Sequence, residues 1–216
     1  MKNSSLFFFI FFLGFSFVAT AQFFEKNYVY GNVGFSGGNY YGADVGINDI
    51  YNQKYIVHLG IYSLFAEAIE TPSDYSAGRG IFGGGDSNIT DKYNIPHLTA
   101  GYVRKFNENS NFRWILQGGL GLQFSEYATN FQDYENTGGF GGFNLGTSPS
   151  HTYDFEKDVS LAIIINPRVE YTLSHVYGFA VSPLLIINNK KTFYGISIIN
   201  IIGKIRERKN KPKEEE

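Results

Sequence analysis

The sequence predicts an all-β protein, an eight-stranded antiparallel up-and-down transmembrane β-barrel, on three observations. Apolar and polar residues alternate with period two along eight separate stretches, the pattern of strands with one face in an apolar medium. The composition is rich in Phe (21), Tyr (16) and Gly (25), which suits strands better than helices. Short turns alternate with two long, Gly-rich connections, so the long loops gather on one rim.

Ahead of the first strand, Lys2 precedes a 13-residue apolar run, 6–18, and then Ala19-Thr20-Ala21. That run is short of the roughly 20 residues a spanning helix needs, and the A-x-A pattern marks a signal peptide cleaved after Ala21. The expected organisation is therefore a signal peptide (1–21), a barrel (22–205) and a charged tail (206–216). The chain has no Cys, which excludes disulfides and thiolate chemistry. A net charge of −2 offers nucleic acid no whole-chain attraction.

In the first stretch, 27–36, Val29, Val33 and Phe35 oppose Tyr30, Asn32 and Ser36. In the second, 40–48, Tyr41, Ala43, Val45 and Ile47 oppose Gly42, Asp44, Gly46 and Asn48. The third, 54–65, sets Tyr55, Val57, Leu59, Ile61 and Phe65 against His58, Gly60 and Tyr62. The fourth, 95–106, sets Leu98, Ala100 and Tyr102 against His97, Thr99 and Gly101. The fifth, 112–127, contains WILQGGLGLQF, where Trp114, Leu116, Leu120, Leu122 and Phe124 oppose Gln117, Gly119, Gly121 and Gln123. The sixth, 159–173, sets Val159, Leu161, Ile163, Ile165, Val169 and Tyr171 against Ser160, Ala162, Asn166, Arg168, Glu170 and Thr172. In the seventh, 176–187, Phe179, Val181, Leu185 and Ile187 oppose Gly178, Ala180 and Ser182. The eighth, 193–205, starts with Tyr194, Ile196 and Ile198 outside, and its pattern slips at Asn200, where a bulge is expected.

The connections 48–53, 107–111 and 174–175 are short and share one rim; 66–94 and 128–158 are long and belong to the other. Side-chain volume decides which face is inside. Eight strands enclose a lumen only wide enough for side chains, so eight full apolar faces must point outward into lipid. Charges are nearly absent from the middle of those faces, as expected where Arg or Lys costs about 2–4 kcal/mol at the bilayer midplane. Tyr28, Tyr40, Tyr41, Tyr55, Phe65, Phe106, Phe112, Tyr127, Tyr171, Tyr177, Phe193 and Tyr194 lie near strand ends, where interfacial girdles are expected. The long-loop rim is acidic: 67–93 holds five acidic and two basic residues, and 126–158 holds six and one. The tail from Lys204 holds six basic and four acidic residues.

Signal peptide, eight amphipathic strands and loop rhythm together resemble the small outer-membrane β-barrel family. The nearest group in shape is the OmpX-like and OmpA-transmembrane-domain proteins of the porin superfamily, over residues 23–205. The Ala-Gln junction at 21–22 and the wealth of Asn and Tyr are similar to proteins of Bacteroidota. The resemblance implies a place in the bacterial outer membrane among lipid and lipopolysaccharide, insertion by the outer-membrane assembly machinery, and a surface or periplasmic protein partner. Family members often end on an aromatic residue, whereas here a charged tail follows Ile205. No peptidoglycan-binding domain follows the barrel in this sequence, so cell-wall anchoring is not expected.

Candidate chemistry is sparse. Residues 78–83 match G-x-G-x-x-G but lack the strand before and helix after that dinucleotide binding needs. Asp86, Ser87, Asn88 and Asp91 form only a fragment of a calcium loop. Asp44, His58, Arg113, Gln117, Asn166, Arg168 and Glu170 fall on lumen faces, where an ionic, hydrogen-bonded plug is expected. A lipid A-modifying enzyme would need Ser, His and an acid at the outer rim; Ser150, His151 and Asp154 are the one such set. His175 beside Ser174 belongs to the opposite rim. The expectation is a non-enzymatic barrel with a filled lumen, without cofactor or metal, acting through its loops; a narrow solute channel is the alternative.

Overall fold

The computed structural model describes residues 27–68, 89–107, 111–133 and 151–206. The signal segment, the tail beyond 206, the glycine motif at 78–83 and the middle of both long connections lie outside them.

Among the described residues every element is a strand: β1 (Tyr28–Gly38), β2 (Tyr41–Tyr51), β3 (Tyr55–Glu67), β4 (Thr90–Lys105), β5 (Phe112–Asp133), β6 (His151–Ile165), β7 (Arg168–Thr172), β8 (Tyr177–Asn188) and β9 (Phe193–Gly203). All pairings are antiparallel between neighbours, and β1 pairs with β9 to close the ring. Nine segments fill eight positions because β6 and β7 are one strand interrupted at Asn166-Pro167. Ile165 faces Gly118 and Arg168 faces Ile115, so the register against β5 is unchanged across the gap. It is likewise unchanged against β8. Pro167 has no N–H to give the ladder, and the break stays local.

The expected faces are those observed. Leu59, Leu98, Leu116, Leu120, Leu161, Ile196 and their outward neighbours are exposed, whereas their alternates are buried. On β5 the uncharged outward run from Phe112 to Phe124 spans about 30 Å along the barrel axis after allowing for strand tilt, a height matched to a bilayer core. Asp49, Glu67, Lys92, Arg104, Glu126 and Lys157 appear on that surface only towards the strand ends. At the short-turn rim, rings meet across neighbouring strands: Tyr55 with Tyr102, Tyr102 with Trp114, Phe106 with Phe112, and Phe112 with Tyr171 at 4.5 Å. At the other rim Tyr41 stacks on Phe65.

Four expectations are revised. Tyr28, Tyr40, Tyr127 and Phe193, assigned above to the girdles, are buried inside the barrel. Asn200 makes no bulge: the pairing of β9 with both neighbours runs without a shift. Ile199 and Ile201 simply turn inward, while Asn200 turns outward and accepts the Tyr177 hydroxyl at 3.2 Å. The lumen is greasier than its sequence face suggested, with Tyr62, Leu64, Tyr93, Ile95, Leu184, Ile186 and Phe193 also packed inside. Finally, the long connection 128–158 is partly strand. β5 and β6 stay paired to Asp133 and His151, across a bulge at Asn130, whose φ is 54°.

Turn chemistry explains the tight hairpin after β2. Asn52 and Gln53 both have positive φ, 51° and 58°, and Lys54 donates its N–H to the Tyr51 carbonyl at 3.1 Å. This mirror-image turn matches the right-handed twist of the strands it joins.

Candidate functional site

The lumen is layered. Towards the long-loop rim an apolar cluster gathers around Tyr62, Tyr93, Ile95, Ile186 and Phe193. Towards the other rim a second gathers around Tyr30, Ile50, Ile56, Ile115, Ile199 and Ile201. Between and beside these clusters lie buried polar residues, among them all seven lumen candidates from the sequence. Buried polar groups persist only with partners, so their partners define the site.

Glu170 anchors the first group. Its carboxylate accepts the Tyr30 hydroxyl at 2.8 Å and Arg113 Nε at 2.6 Å, with Arg113 Nη2 at 2.5 Å on the same oxygen. Arg168 Nη1 lies 3.5 Å from the other oxygen. Arg113 also donates to the Ile205 carbonyl at 3.0 Å and sits 5.2 Å from the centre of the Tyr30 ring. Arg168, two residues from Glu170 on β7, thus shares that one carboxylate with β5's Arg113. Two guanidiniums converge on one acid, and Arg168's three nitrogens lack a well-formed hydrogen bond.

Asn166, placed at the strand break, joins three elements. Its amide donates to the Tyr62 hydroxyl at 2.6 Å, and its carbonyl lies 2.5 Å from the Ser182 hydroxyl. Its backbone N–H donates to the Gln117 carbonyl at 3.0 Å. The Gln117 side chain is buried as expected, but neither of its amide atoms has a partner among the described residues.

A third group occupies β1 to β4. Asn48 donates to Asn32 at 2.9 Å, and Asn32 donates to Asp44 Oδ2 at 2.7 Å. His58 and His97 stand beside Asp44, with donor atoms of all three within 4.8 Å of one another. The His58 and His97 rings are 4.9 Å apart, and Tyr62 stacks on His97 at 4.3 Å and 10°. Register makes the room. Gly46, Gly60 and His97 share one row across β2, β3 and β4. A Cβ at Gly46 would lie 2.4 Å from His58 Cε1, and one at Gly60 would lie 2.8 Å from His58 Nε2. Only glycine leaves His58 its place.

The other histidine settings are accounted for differently. Ser174 uses its hydroxyl to cap the turn, accepting the N–H groups of Val176 and Tyr177 at 3.2 and 3.0 Å. His151 and Asp154 are backbone members of the overhanging part of β6, and Ser150 lies outside the described residues. At the long-loop rim Lys190 is held by Asp158 at 3.2 Å and lies 4.7 Å from the Tyr127 ring. The hydrogen bond to Asp158 raises its pKa above the usual lysine value. Partial burial lowers that of Lys191, which donates to the Glu67 carbonyl at 2.7 Å.

Sequence reasoning placed Asp44 and His58 on the lumen face but did not join them to His97, nor name Tyr30, Tyr62, Asn32 or Ser182 as partners. Their inward parity was the available signal; which residues meet across strands depends on register.

The class defined by fold and interior is a closed antiparallel β-barrel of eight strand positions with an apolar exterior. No protein-family model matches the chain, and no curated protein matches it. Two solved structures are similar over 82% of this chain and 95% of theirs. One is the N-terminal β-barrel domain of Pseudomonas aeruginosa OprF, at 8% identity and a TM-score of 0.44. The other is Ail, the attachment invasion locus protein of Yersinia pestis, in complex with the heparin analogue sucrose octasulfate, at 11% and 0.40.

Proposed function

We propose that this protein is a bacterial outer-membrane β-barrel with a filled lumen and no open pore. It acts structurally or by presenting its acidic long-loop rim to a partner at the cell surface. The observation that carries the reading is the inversion of polarity: Leu59, Leu98, Leu120 and Ile196 are exposed, while Arg113, Arg168, Glu170 and Asp44 are buried. A water-soluble barrel gains nothing from that arrangement. In lipid it removes the charges from hydrocarbon, and closure of the ring leaves no open sheet edge. Two apolar clusters packed inside the barrel, one towards each rim, support a closed lumen.

Fractionation with electrophoresis tests the membrane reading. A heat-modifiable band in the outer-membrane fraction is expected, and an unshifted band in the soluble fraction would overturn it. The polar belt itself favours a second reading, a narrow channel for small solutes. Planar bilayers containing the refolded chain separate the two: steady single-channel conductance would establish the channel, and silent bilayers the filled barrel. Crosslinking from 66–94, 128–158 and the tail then identifies what the rims engage.

A further inference from the structure

We propose that Asp44, His58 and His97 form an internal site for a divalent transition metal of the zinc type, bound through one carboxylate oxygen and two imidazole nitrogens. It is the one cluster of three His, Cys, Asp or Glu donors with converging atoms among the described residues.

Two independent observations point to an ion. First, the atoms left over are the right ones. Asp44 Oδ2 is held by Asn32, which is itself held by Asn48, and Oδ1 is left without a partner. His97 Nδ1 lies 3.1 Å from the Ile95 carbonyl, which places its proton there and leaves the Nε2 lone pair unpartnered. A second ring nitrogen bonded to a backbone carbonyl is how metal-bound histidines are oriented. On His58 the Ile47 backbone offers one ring nitrogen a contact short of a well-formed hydrogen bond, and the other nitrogen is left without a partner, although the residue is wholly buried. Native interiors rarely leave an imidazole in that state.

Second, the geometry closes. Donors at the corners of a triangle with 4.8 Å sides lie about 2.8 Å from its centre, so reaching a bond of about 2.1 Å moves each side chain about 0.7 Å. Gly46 and Gly60 carry no side chain where the His58 and His97 rings lie, so the barrel wall itself does not hold the rings apart. The donor set selects the metal: two neutral imidazoles with one carboxylate suit zinc, cobalt, nickel or copper, whereas calcium and magnesium prefer all-oxygen shells. Arg168, the cation that faces this belt from β7, is within electrostatic reach of all three donors, and its pairing with Glu170 at 3.5 Å offsets part of its charge. Apolar layers lie towards either rim, so the ion is taken up as the barrel folds.

The test is to refold the chain from urea into detergent micelles with zinc, strip weakly held metal on a chelating resin, and count zinc by plasma mass spectrometry. About one zinc per wild-type barrel is expected, against less than about a tenth for H97Q and D44N. Both variants must keep the heat-dependent gel shift of a folded barrel. Refolding with cobalt needs no variant: paramagnetically shifted ring signals should come from His58 and His97 and not from His151 or His175. Wild-type protein that retains no stoichiometric zinc, folded variants that retain as much, or unshifted His58 and His97 signals would each overturn the site.

Discussion

Replacing Glu170 by Gln removes one negative charge and leaves the shape of the lumen almost unchanged. Glu170 is fully buried, and both its oxygens are occupied by donors: Tyr30 on one, Arg113 on the other. Whichever way a Gln amide is turned, its NH2 group faces a donor and its neutral carbonyl answers only one partner. Arg113 and Arg168 then remain buried with no acid between them. Breaking a buried pair by removing one partner costs about 3–5 kcal/mol, or about two to four powers of ten in the folding constant. A urea titration in detergent micelles, following the compact and heat-modified bands, measures it. E170Q should have a lower midpoint with an unchanged slope. R113M/E170Q should regain more than half of the loss, because one of the two guanidiniums left without their acid is then gone. An E170Q barrel within about 1 kcal/mol of wild type would refute the reasoning, since buried guanidiniums cannot be that cheap.

Three further outcomes are expected. Leu120 lies outward at mid-strand, paired with Leu98 and Ile163, so L120R should cost about 2–4 kcal/mol in lipid vesicles, while T152R above the apolar band costs less than about 0.5; equal costs would argue against a bilayer around the barrel. A Cβ at Gly119 would stand 2.0 Å from the Leu98 carbonyl oxygen and 2.6 Å from Thr99 Cα, both backbone, so G119A must push β4 and β5 apart and lose about 1–3 kcal/mol. G37A meets nothing within 4 Å and should be neutral in the same urea titration. The Lys190–Asp158 pair raises the folded-state lysine pKa above its ordinary 10.5, so its small contribution is complete below that pH and fades as pH rises through the folded value; K190A should therefore narrow its gap to wild type in alkaline melts and show no change in gap between pH 6 and 8.

Much of the barrel was legible because a strand has only two faces. Once Leu59 or Leu120 is set outward, parity assigns His58 and Gly119 inward without further information. Parity carries no depth or register, and the misplacements follow from that. An aromatic at a strand end suits a girdle or a lumen plug equally; Tyr40 and Phe193 became plugs, meeting edge-on at 5.8 Å. In IINIIG the apolar residues fill both faces, so Asn200 looked like a fault in the pattern when it is an outward residue with a tyrosine partner. The Asp44–His58–His97 cluster needs three strands aligned on the Gly46–Gly60–His97 row; the tight turn after β2 sets the first pairing, but β4 follows the long connection 66–94, which sets no register.

The cluster around Glu170 also has a place in time. Tyr30 reaches it across 140 residues of sequence, Arg113 across 57, and the Ile205 carbonyl joins through Arg113 across 92. No hairpin or half-barrel contains all of them, so these charges stay hydrated until the first and last strands meet. A contact of such separation forms after loop closure has been overcome, late on the folding path. The ionic knot then acts as a latch on a seam: its loss should leave the rate of insertion nearly unchanged and hasten the rate of opening.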